Sequence, residues 1–170
     1  AGLGNPGKEY ENTYHNAGFL AVDYFINKVK KLPMKTVKDK KFEFAENGNA
    51  IFIKPLTYMN ESGLPIKNSL RYFKAGPEEL LIMHDDSDIL LGEYKLSFER
   101  GSGGHKGIES AIQHLKTNKF WRIRIGIRPP SKSGTPKKKA SEFVLKNIVP
   151  THKRLLMSAF AAIAKQINRL

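Results

Sequence analysis

The stretch Leu80-Leu81-Ile82-Met83, followed directly by His84-Asp85-Asp86, decides the fold class predicted for this chain. The apolar run comes shortly after the turn signal Gly76-Pro77. An uninterrupted apolar run predicts a strand that is buried on both faces, as in the parallel part of an α/β sheet. Because ligand sites in such sheets collect at strand ends, the polar residues that follow are candidates for function.

Helical spacing and strand alternation predict the other elements of the chain. The predicted strands are Phe42 to Phe44, Ile51 to Ile53, Tyr94 to Phe98 and a run over Ile123 to Ile127, and the first two form a hairpin. The predicted helices run from about Asn16 to Lys30, from about Gly63 to Phe73, over Ile108 to Leu115, and from about Thr151 onwards. We expect Lys28 to Lys41 to be an exposed connection and Pro129 to Ala140 to be a mobile loop.

Strands and helices alternate, and neither a repeat nor a dividing linker interrupts them. The sequence therefore predicts a single three-layer α/β domain over residues 1–170, with a twisted mixed β-sheet flanked by helices. The chain starts at Ala1 without an initiator Met, and its first residues have the pattern of the end of a strand. We expect a few N-terminal residues to be missing.

The composition indicates a polyanionic partner. The 170 residues carry 29 Lys and Arg against 16 Asp and Glu, which gives a formal net charge of +13. Nucleic acid is the commonest partner of so basic a protein, although the charge could also serve solubility alone. The absence of Cys excludes disulfides and Cys-ligated zinc. The chain has neither a run of about 20 apolar residues nor a signal peptide, which predicts a cytoplasmic protein without a membrane partner.

Polar residues at the predicted element ends suggest a hydrolytic site. His15 stands just before the first helix, and Asp85 follows the buried strand. A His whose far ring nitrogen is held by an Asp is a credible general base for water. The alternative is that His15 only caps its helix and faces solvent.

Two glycine clusters admit both functional and structural interpretations. Gly2-x-Gly4-x-x-Gly7 has the letters of a dinucleotide-binding fingerprint, but no helix opens inside it, which favours a tight turn that presents Asn5. Gly101 to Gly107 precedes a helix, so its N–H groups could face an anion. Alternatively, it is a glycine turn needed for packing.

Further polar residues can also be interpreted in more than one way. The His84-Asp85-Asp86-x-Asp88 cluster could hold a divalent metal, although its alternating side chains should diverge. Asn60 could be a turn or N-cap residue, or could recognise an amide or a ribose hydroxyl. Arg122, Arg124 and Arg128, with Lys137 to Lys139 in the next loop, form a possible phosphate track.

Six motifs in register resemble bacterial-type peptidyl-tRNA hydrolase. They are Gly2-Leu3-Gly4-Asn5-Pro6-Gly7, His15-Asn16-Ala17-Gly18, Tyr58-Met59-Asn60-x-Ser62-Gly63, His84-Asp85-x-x-Asp88, Gly103-Gly104-His105-x-Gly107 and Arg122-Ile123-Arg124-Ile125-Gly126. The resemblance runs through almost the whole chain. It implies a monomer that cleaves the ester between a peptidyl group and the 3′-terminal ribose of tRNA, without metal or cofactor.

The resemblance also implies roles for individual residues. His15 would activate water and Asp85 would orient it. The substrate-binding positions would be Asn5, Tyr10, Tyr58, Met59, Asn60, Gly104, His105 and Lys106, and the tRNA phosphate positions Arg124, Lys95 and Arg100.

Two positions depart from the family pattern. Lys106 stands where the family has Asn, and Ser97 stands where it has a phosphate-binding Lys, for which Lys95 or Arg100 could substitute. The alternative functions are a non-catalytic RNA-binding relative on the same scaffold, like plant organelle splicing factors, and a nucleotide-dependent enzyme that uses Gly2 to Gly7.

Overall fold

The computed structural model describes residues 1–48, 50–130 and 139–167. Its strands are β1 (Lys35–Val37), β2 (Phe42–Asn47), β3 (Ala50–Pro55), β4 (Leu81–Leu90), β5 (Tyr94–Phe98) and β6 (Trp121–Arg128). Its α-helices are α1 (Ala17–Asp23), α2 (Gly63–Phe73), α3 (Lys106–Leu115) and α4 (Pro150–Ile167).

The strands form two three-stranded sheets that the first residues of the chain connect. One sheet has the order β1-β2-β3 and is antiparallel, and the other has the order β4-β6-β5, with β4 and β6 parallel. Gly2 forms a parallel bridge with Met83 of β4, and its N–H donates to the carbonyl of Ile53 in β3 at 2.9 Å. The N-terminal residues therefore hold the hairpin sheet against the mixed sheet.

Helices cover both faces of the mixed sheet, which makes three layers. One core cluster joins α1 and α4 to Ile123, Ile125 and Ile127 of β6. A second cluster joins α2 and α3 to Ile82 of β4 and to Phe120. The predicted fold class, an α/β domain with a mixed sheet flanked by helices, is confirmed.

The first helix has the predicted extent but changes its winding. After α1 ends at Asp23, the segment Tyr24–Lys30 continues as a π-helix, and Lys31 terminates it in the left-handed conformation. The apolar spacing predicts which side faces the core, but it does not distinguish i→i+4 from i→i+5 hydrogen bonding over so short a segment.

The prediction of an exposed connection over Lys28 to Lys41 is wrong at Lys35–Val37. These residues form β1, which pairs antiparallel with β2. Because β1 is an edge strand whose Lys35 and Thr36 side chains are exposed, backbone hydrogen bonds define it and no apolar alternation marks it in the sequence. Most of the loop predicted over Pro129 to Ala140 lies outside the described residues.

Strand β4 continues beyond the apolar run to Leu90, with an irregularity in its pairing between Asp86 and Leu90. The strand thus carries His84, Asp85 and Asp86 within the sheet rather than in a following loop. In the described part of the chain, no helix is long and apolar enough to cross a membrane.

Gly18 of α1 packs directly against the backbone of β4 at Met83 and against the N-terminal segment at Leu3. A Cβ at this position would lie 2.2 Å from the carbonyl oxygen of Met83 and 2.5 Å from the backbone nitrogen of Leu3. The same backbone groups are joined by the Leu3 N–H to Met83 carbonyl bond of 2.9 Å. A side chain at position 18 would therefore separate the helix from the segment that connects the two sheets.

We expect Gly18→Ala to lower the free energy of unfolding by about 1–3 kcal/mol or more, because backbone atoms must move to admit the methyl group. Urea unfolding measures this difference. Gly101→Ala is the matched control, since a Cβ at Gly101 meets no atom within 4 Å. Equal stability of the two variants would contradict the packing argument.

Candidate active site

A cleft of about 540 Å³ opens where β4 and β6 meet the loop before α3. Its lining includes His15, Asp85, His105 and the glycine loop Gly101 to Gly104. Asp85 pairs in register with Ile125 of β6, and His15 belongs to a single 3₁₀ turn, Tyr14–Asn16, just before α1. The site is thus built within a buried strand and close to the start of two helices.

Two imidazole rings hold the carboxylate of Asp85. His15 Nδ1 lies 3.0 Å from each carboxylate oxygen, and His105 Nε2 lies 2.8 Å from Oδ1. The Asp85 side chain is only 4% exposed, whereas those of His15 and His105 are 15% and 10% exposed. Because an ionised carboxylate only accepts hydrogen bonds, both rings donate an N–H to it.

These contacts shift the pKa values of the pair. Burial would raise the pKa of Asp85, but the charges and N–H groups of His105 and His15 outweigh burial and hold this pKa well below its usual range. Burial would lower the pKa of His15, but the charge and hydrogen bond of Asp85 outweigh it and raise this pKa. Asp85 is therefore ionised at neutral pH, and it favours the protonated form of His15.

His15 keeps one ring nitrogen available. Its Nδ1 faces Asp85, while its Nε2 makes no hydrogen bond to any residue in the ranges 1–48, 50–130 and 139–167. With Nδ1 carrying the proton, Nε2 of the neutral ring has a free lone pair, and His15 lines the cleft. Such a nitrogen can accept a proton from a water molecule.

A third histidine, His84, lies behind this pair. Its ring packs edge-on against His105, with ring centroids 4.7 Å apart, and its Nδ1 lies 2.7 Å from the backbone carbonyl of Asp85. Burial, followed by the charge of His105, lowers the pKa of His84 well below its ordinary value. His84 is therefore a neutral ring that packs against His105.

Asn5 and Met59 are hydrogen-bonded to each other outside the lining of this cleft, and Asn5 lines a separate cavity. The Asn5 side-chain oxygen accepts the N–H of Met59 at 2.7 Å, and Asn16 ties the Asn5 backbone by two hydrogen bonds of 2.8 and 2.9 Å. A Cβ on Gly107 would meet Met59 Sδ at 2.5 Å and His105 Cε1 at 3.2 Å. The absence of a side chain at Gly107 therefore lets Met59 lie close to His105.

Of the other predicted substrate-binding residues, Gly104 and Lys106 line the cleft, whereas Tyr10, Tyr58 and Asn60 do not. Tyr10 and Tyr58 meet edge to face, with ring centroids 6.3 Å apart, and Tyr58 is exposed. Asn60 is exposed in the 3₁₀ turn Met59–Glu61. Lys106 lines the cleft, and its ammonium pairs with Glu109 at 3.0 Å on the surface of α3.

The glycine loop is anchored by a buried arginine. Arg122 of β6 is 2% exposed, and its guanidinium donates to the backbone carbonyls of Gly101, at 2.9 Å, and of Arg100. These contacts hold the loop that leads to Gly104 and to His105, the N-cap of α3. Arg122 therefore supports the loop, and it does not lie on a surface phosphate track.

Arg124 lies at the cleft between one negative neighbour, Asp86, and one positive neighbour, Lys95. Its Nε donates to Asp86 at 2.7 Å, and it pairs in register with Lys95 on the adjacent strand β5. Arg124 is half-buried, while Lys95 and Arg100 are exposed. Adjacent strands thus place Arg124 and Lys95 side by side, and the Arg100 side chain lines the same cleft.

One cluster in the described ranges has the donor set of a metal site. His15, Asp85 and His105 offer ligand atoms within 4.8 Å of one another. The cluster considered from the sequence, His84 to Asp88, is not assembled in this way. Asp86 accepts from Arg124 and from the N–H of Asp88, and His84 is bonded to a backbone carbonyl.

The glycines of the N-terminal turn serve packing. A Cβ on Gly2 would lie 2.4 Å from the Gly18 carbonyl oxygen, and one on Gly4 would lie 2.5 Å from the Phe19 ring. The helix α1 begins only at Ala17, well after Gly7. The geometry of a dinucleotide site, in which a helix opens within the glycines, is absent from this turn.

A sequence model of one family matches the chain from residue 1 to residue 170, and its description is peptidyl-tRNA hydrolase. The chain belongs to this family. A relative named peptidyl-tRNA hydrolase from Aquifex aeolicus is 38% identical over 172 residues, which cover 99% of this chain and 86% of the relative. Another of the same name, from Caldicellulosiruptor saccharolyticus, is 40% identical over 100% of this chain and 88% of its own length.

A solved structure of this family also resembles the fold. The crystal structure of peptidyl-tRNA hydrolase from Acinetobacter baumannii matches with a TM-score of 0.86 and 30% identity, over 98% of this chain and 84% of that one. Family and fold therefore agree with the resemblance that the six motifs carry.

Sequence reasoning missed the contact between His105 and Asp85 and the positions of His84 and Arg122. His105 was expected to bind substrate, yet its ring also holds the carboxylate. The sequence places His84 next to Asp85, but nothing local indicates that its ring contacts His105. Arg122 alternates with isoleucines as a surface arginine would, and only the loop carbonyls explain its burial.

We expect Asp85→Asn to lower the pKa of His15, because the amide removes the negative charge that stabilises the imidazolium while burial still opposes it. An NMR titration of the histidine rings measures the shift in both proteins. The ring signals of His114, which bonds the Ser110 carbonyl on α3, should be the same in both proteins and serve as the internal control. An unchanged or raised His15 pKa would contradict the assigned electrostatics.

Proposed function

We propose that this chain hydrolyses the ester between the peptidyl group and the 3′-terminal ribose of peptidyl-tRNA, with His15 as the general base. The observation that carries the proposal is the pair in which Asp85 binds His15 Nδ1 and leaves Nε2 without a hydrogen bond in the described residues, on a histidine that lines the cleft. Membership of the family supplies the reaction, and this pair supplies a chemistry that can perform it.

The reaction begins with a water molecule hydrogen-bonded to His15 Nε2. The water oxygen attacks the ester carbonyl carbon while His15 takes a water proton, and the resulting imidazolium is stabilised by ionised Asp85. The tetrahedral intermediate then expels the ribose oxygen, which takes the proton from His15. Free tRNA and a peptide with a carboxyl group are the products.

The surrounding residues are proposed to position the substrate. Asn5 and Asn60 would bind the peptide end, with Met59, Tyr10 and Tyr58 packing beside it. Lys106, at the N-terminus of α3 beside Gly104, would place positive charge near the oxyanion that develops on the carbonyl. His105 would have a second role, since it helps to keep Asp85 ionised next to the base.

Arg124 and Lys95 are proposed to bind a tRNA phosphate together. Their pairing across β5 and β6 puts two cations side by side, so that Lys95 compensates for Ser97, which stands at the family's lysine position. Arg100 would extend this contact along the cleft. The net charge of +13 fits a polyanionic substrate.

We propose that the chain acts as a monomer, which is what the family resemblance implies. Translation, the source of the substrate, supports a cytoplasmic location. The proposed chemistry uses no metal or cofactor, because the base, the orienting carboxylate and the positive groups all belong to the chain.

We expect His15→Asn to reduce kcat by about 10²–10⁴-fold, since a positioned base contributes about that much to a proton transfer. The rate is measured as release of tRNA from N-acetyl-aminoacyl-tRNA, with aminoacyl-tRNA as the comparison substrate. Binding is measured separately with deacylated tRNA. His114→Gln is the control for loss of a histidine outside the cleft. Hydrolysis that survives in His15→Asn would remove His15 from the base role, while binding without hydrolysis by the wild type would favour a non-catalytic RNA-binding protein.

We expect Arg124→Ala to weaken tRNA binding and to reduce the slope of log affinity against log salt by about 1, as loss of one phosphate contact predicts. Arg124→Lys should keep most of the slope because it retains the charge. Lys35→Ala is the matched control, since Lys35 is exposed on the hairpin sheet and pairs with Glu46. The assignment fails if Arg124→Ala and Lys35→Ala have the same affinity and slope.

A further inference from the structure

The cluster of His15, Asp85 and His105 has the donor atoms of a transition-metal site. Two imidazole nitrogens and one carboxylate oxygen approach one another, at 3.0 Å for His15 to Asp85 and 2.8 Å for His105 to Asp85. Imidazole suits zinc, copper and nickel, whereas magnesium and calcium prefer oxygen ligands. The cluster therefore matches a borderline divalent ion.

We propose that this cluster is an inhibitory binding site for such an ion, represented by Zn²⁺. The ion takes His15 Nδ1, one oxygen of Asp85 and His105 Nε2 as ligands. It enters from the cleft, which all three residues line, and its remaining coordination positions face the cleft and take water.

The distances require only small movements of the two rings. Zinc bonds of about 2.0–2.2 Å place neighbouring tetrahedral ligands about 3.3 Å apart. The ligand atoms of the cluster already lie within 4.8 Å of one another. The rings therefore open slightly around Asp85 to admit an ion in place of the two hydrogen bonds.

The charge balance of the cluster favours this exchange. Asp85 is ionised and almost fully buried, and the two donated N–H groups are what satisfy it. A divalent cation replaces both donors and neutralises the buried carboxylate more completely. One cost falls on His105, because its Nδ1 must then carry the ring proton and loses the long 3.4 Å hydrogen bond from the Ile108 N–H.

No stronger zinc ligands compete within the chain. The sequence has no Cys and only five His. In the parts of the chain that the structure describes, this is the one group of three or more His, Asp or Glu residues whose ligand atoms converge. The first ion bound by the free protein therefore goes to this cluster.

Binding abolishes the proposed base without any change of fold. When the ion occupies Nδ1 of His15, the ring proton moves to Nε2, so Nε2 becomes a donor and cannot accept a proton from water. The inhibition rests on the proposed role of His15, whereas the binding does not.

The first experiment measures binding to the free full-length chain without RNA, because tRNA phosphates also bind zinc. Isothermal titration with ZnCl₂ should give one site per chain. NMR of the wild-type protein should show that the ring signals of His15 and His105 shift on zinc addition while those of His114 and His152 do not. MgCl₂ at the same concentration should move neither pair.

Variants then assign the ligands. His105→Asn and Asp85→Asn should each weaken zinc binding by at least about tenfold, since even outer-shell changes at metal sites cost about 10–100-fold. His114→Gln should bind as the wild type does. At free zinc concentrations corrected for the zinc bound to tRNA, zinc should inhibit hydrolysis in the wild type with the same constant as binding. A chelator should restore the rate.

Three outcomes would overturn the proposal. The first is the absence of zinc binding by the wild type, and the second is a site that persists unchanged in both cluster variants, with ring shifts elsewhere. The third is binding at the cluster that leaves the hydrolysis rate unchanged or raises it. The wild-type NMR result decides the location of the ion even if a variant fails to fold.

Discussion

The carboxylate of Asp85 is ionised in a place where water scarcely reaches it. A buried charge of this kind is costly unless hydrogen bonds replace its hydration, and here two imidazole N–H groups approach from opposite elements. His15 comes from the turn before α1, and His105 comes from the N-cap of α3. The requirement to satisfy one buried carboxylate therefore determines where both helices must begin relative to β4.

The backbone around β4 meets that requirement through close packing. Gly18 lets α1 approach the Leu3 and Met83 backbone, and Gly107 lets α3 approach Met59. Arg122, anchored in β6, holds the glycine loop that delivers His105. Each of these residues acts at a distance from the reacting atoms, yet each controls the separation between a histidine and Asp85.

The negative charge of Asp85 favours both protonation of His15 and binding of a metal cation. Asp85 raises the pKa of His15, which strengthens the ring as a base but also increases the fraction that is already protonated near neutral pH. An ionised, buried carboxylate between two imidazoles is also what a divalent transition-metal ion requires. A site tuned to hold a proton on His15 is therefore exposed to competition from a cation that binds the same three groups.

The sequence by itself determined the fold class, the extents of α2 and β5, and the identity of the family. Apolar periodicity reports which residues are buried, and six ordered motifs are specific. It also singled out His15 and Asp85 as candidates, because they stand at predicted element ends. The edge strand Lys35–Val37 and the π-helical winding of Tyr24–Lys30 escaped it, since backbone hydrogen bonds rather than side-chain patterns define them.

Only the tertiary structure decided that His105 shares Asp85 with His15, that His84 packs behind them and that Arg122 is an internal support. These contacts join residues about 20 or more positions apart. No local sequence pattern predicts these contacts, because they depend on how strands and helices from separate parts of the chain pack together.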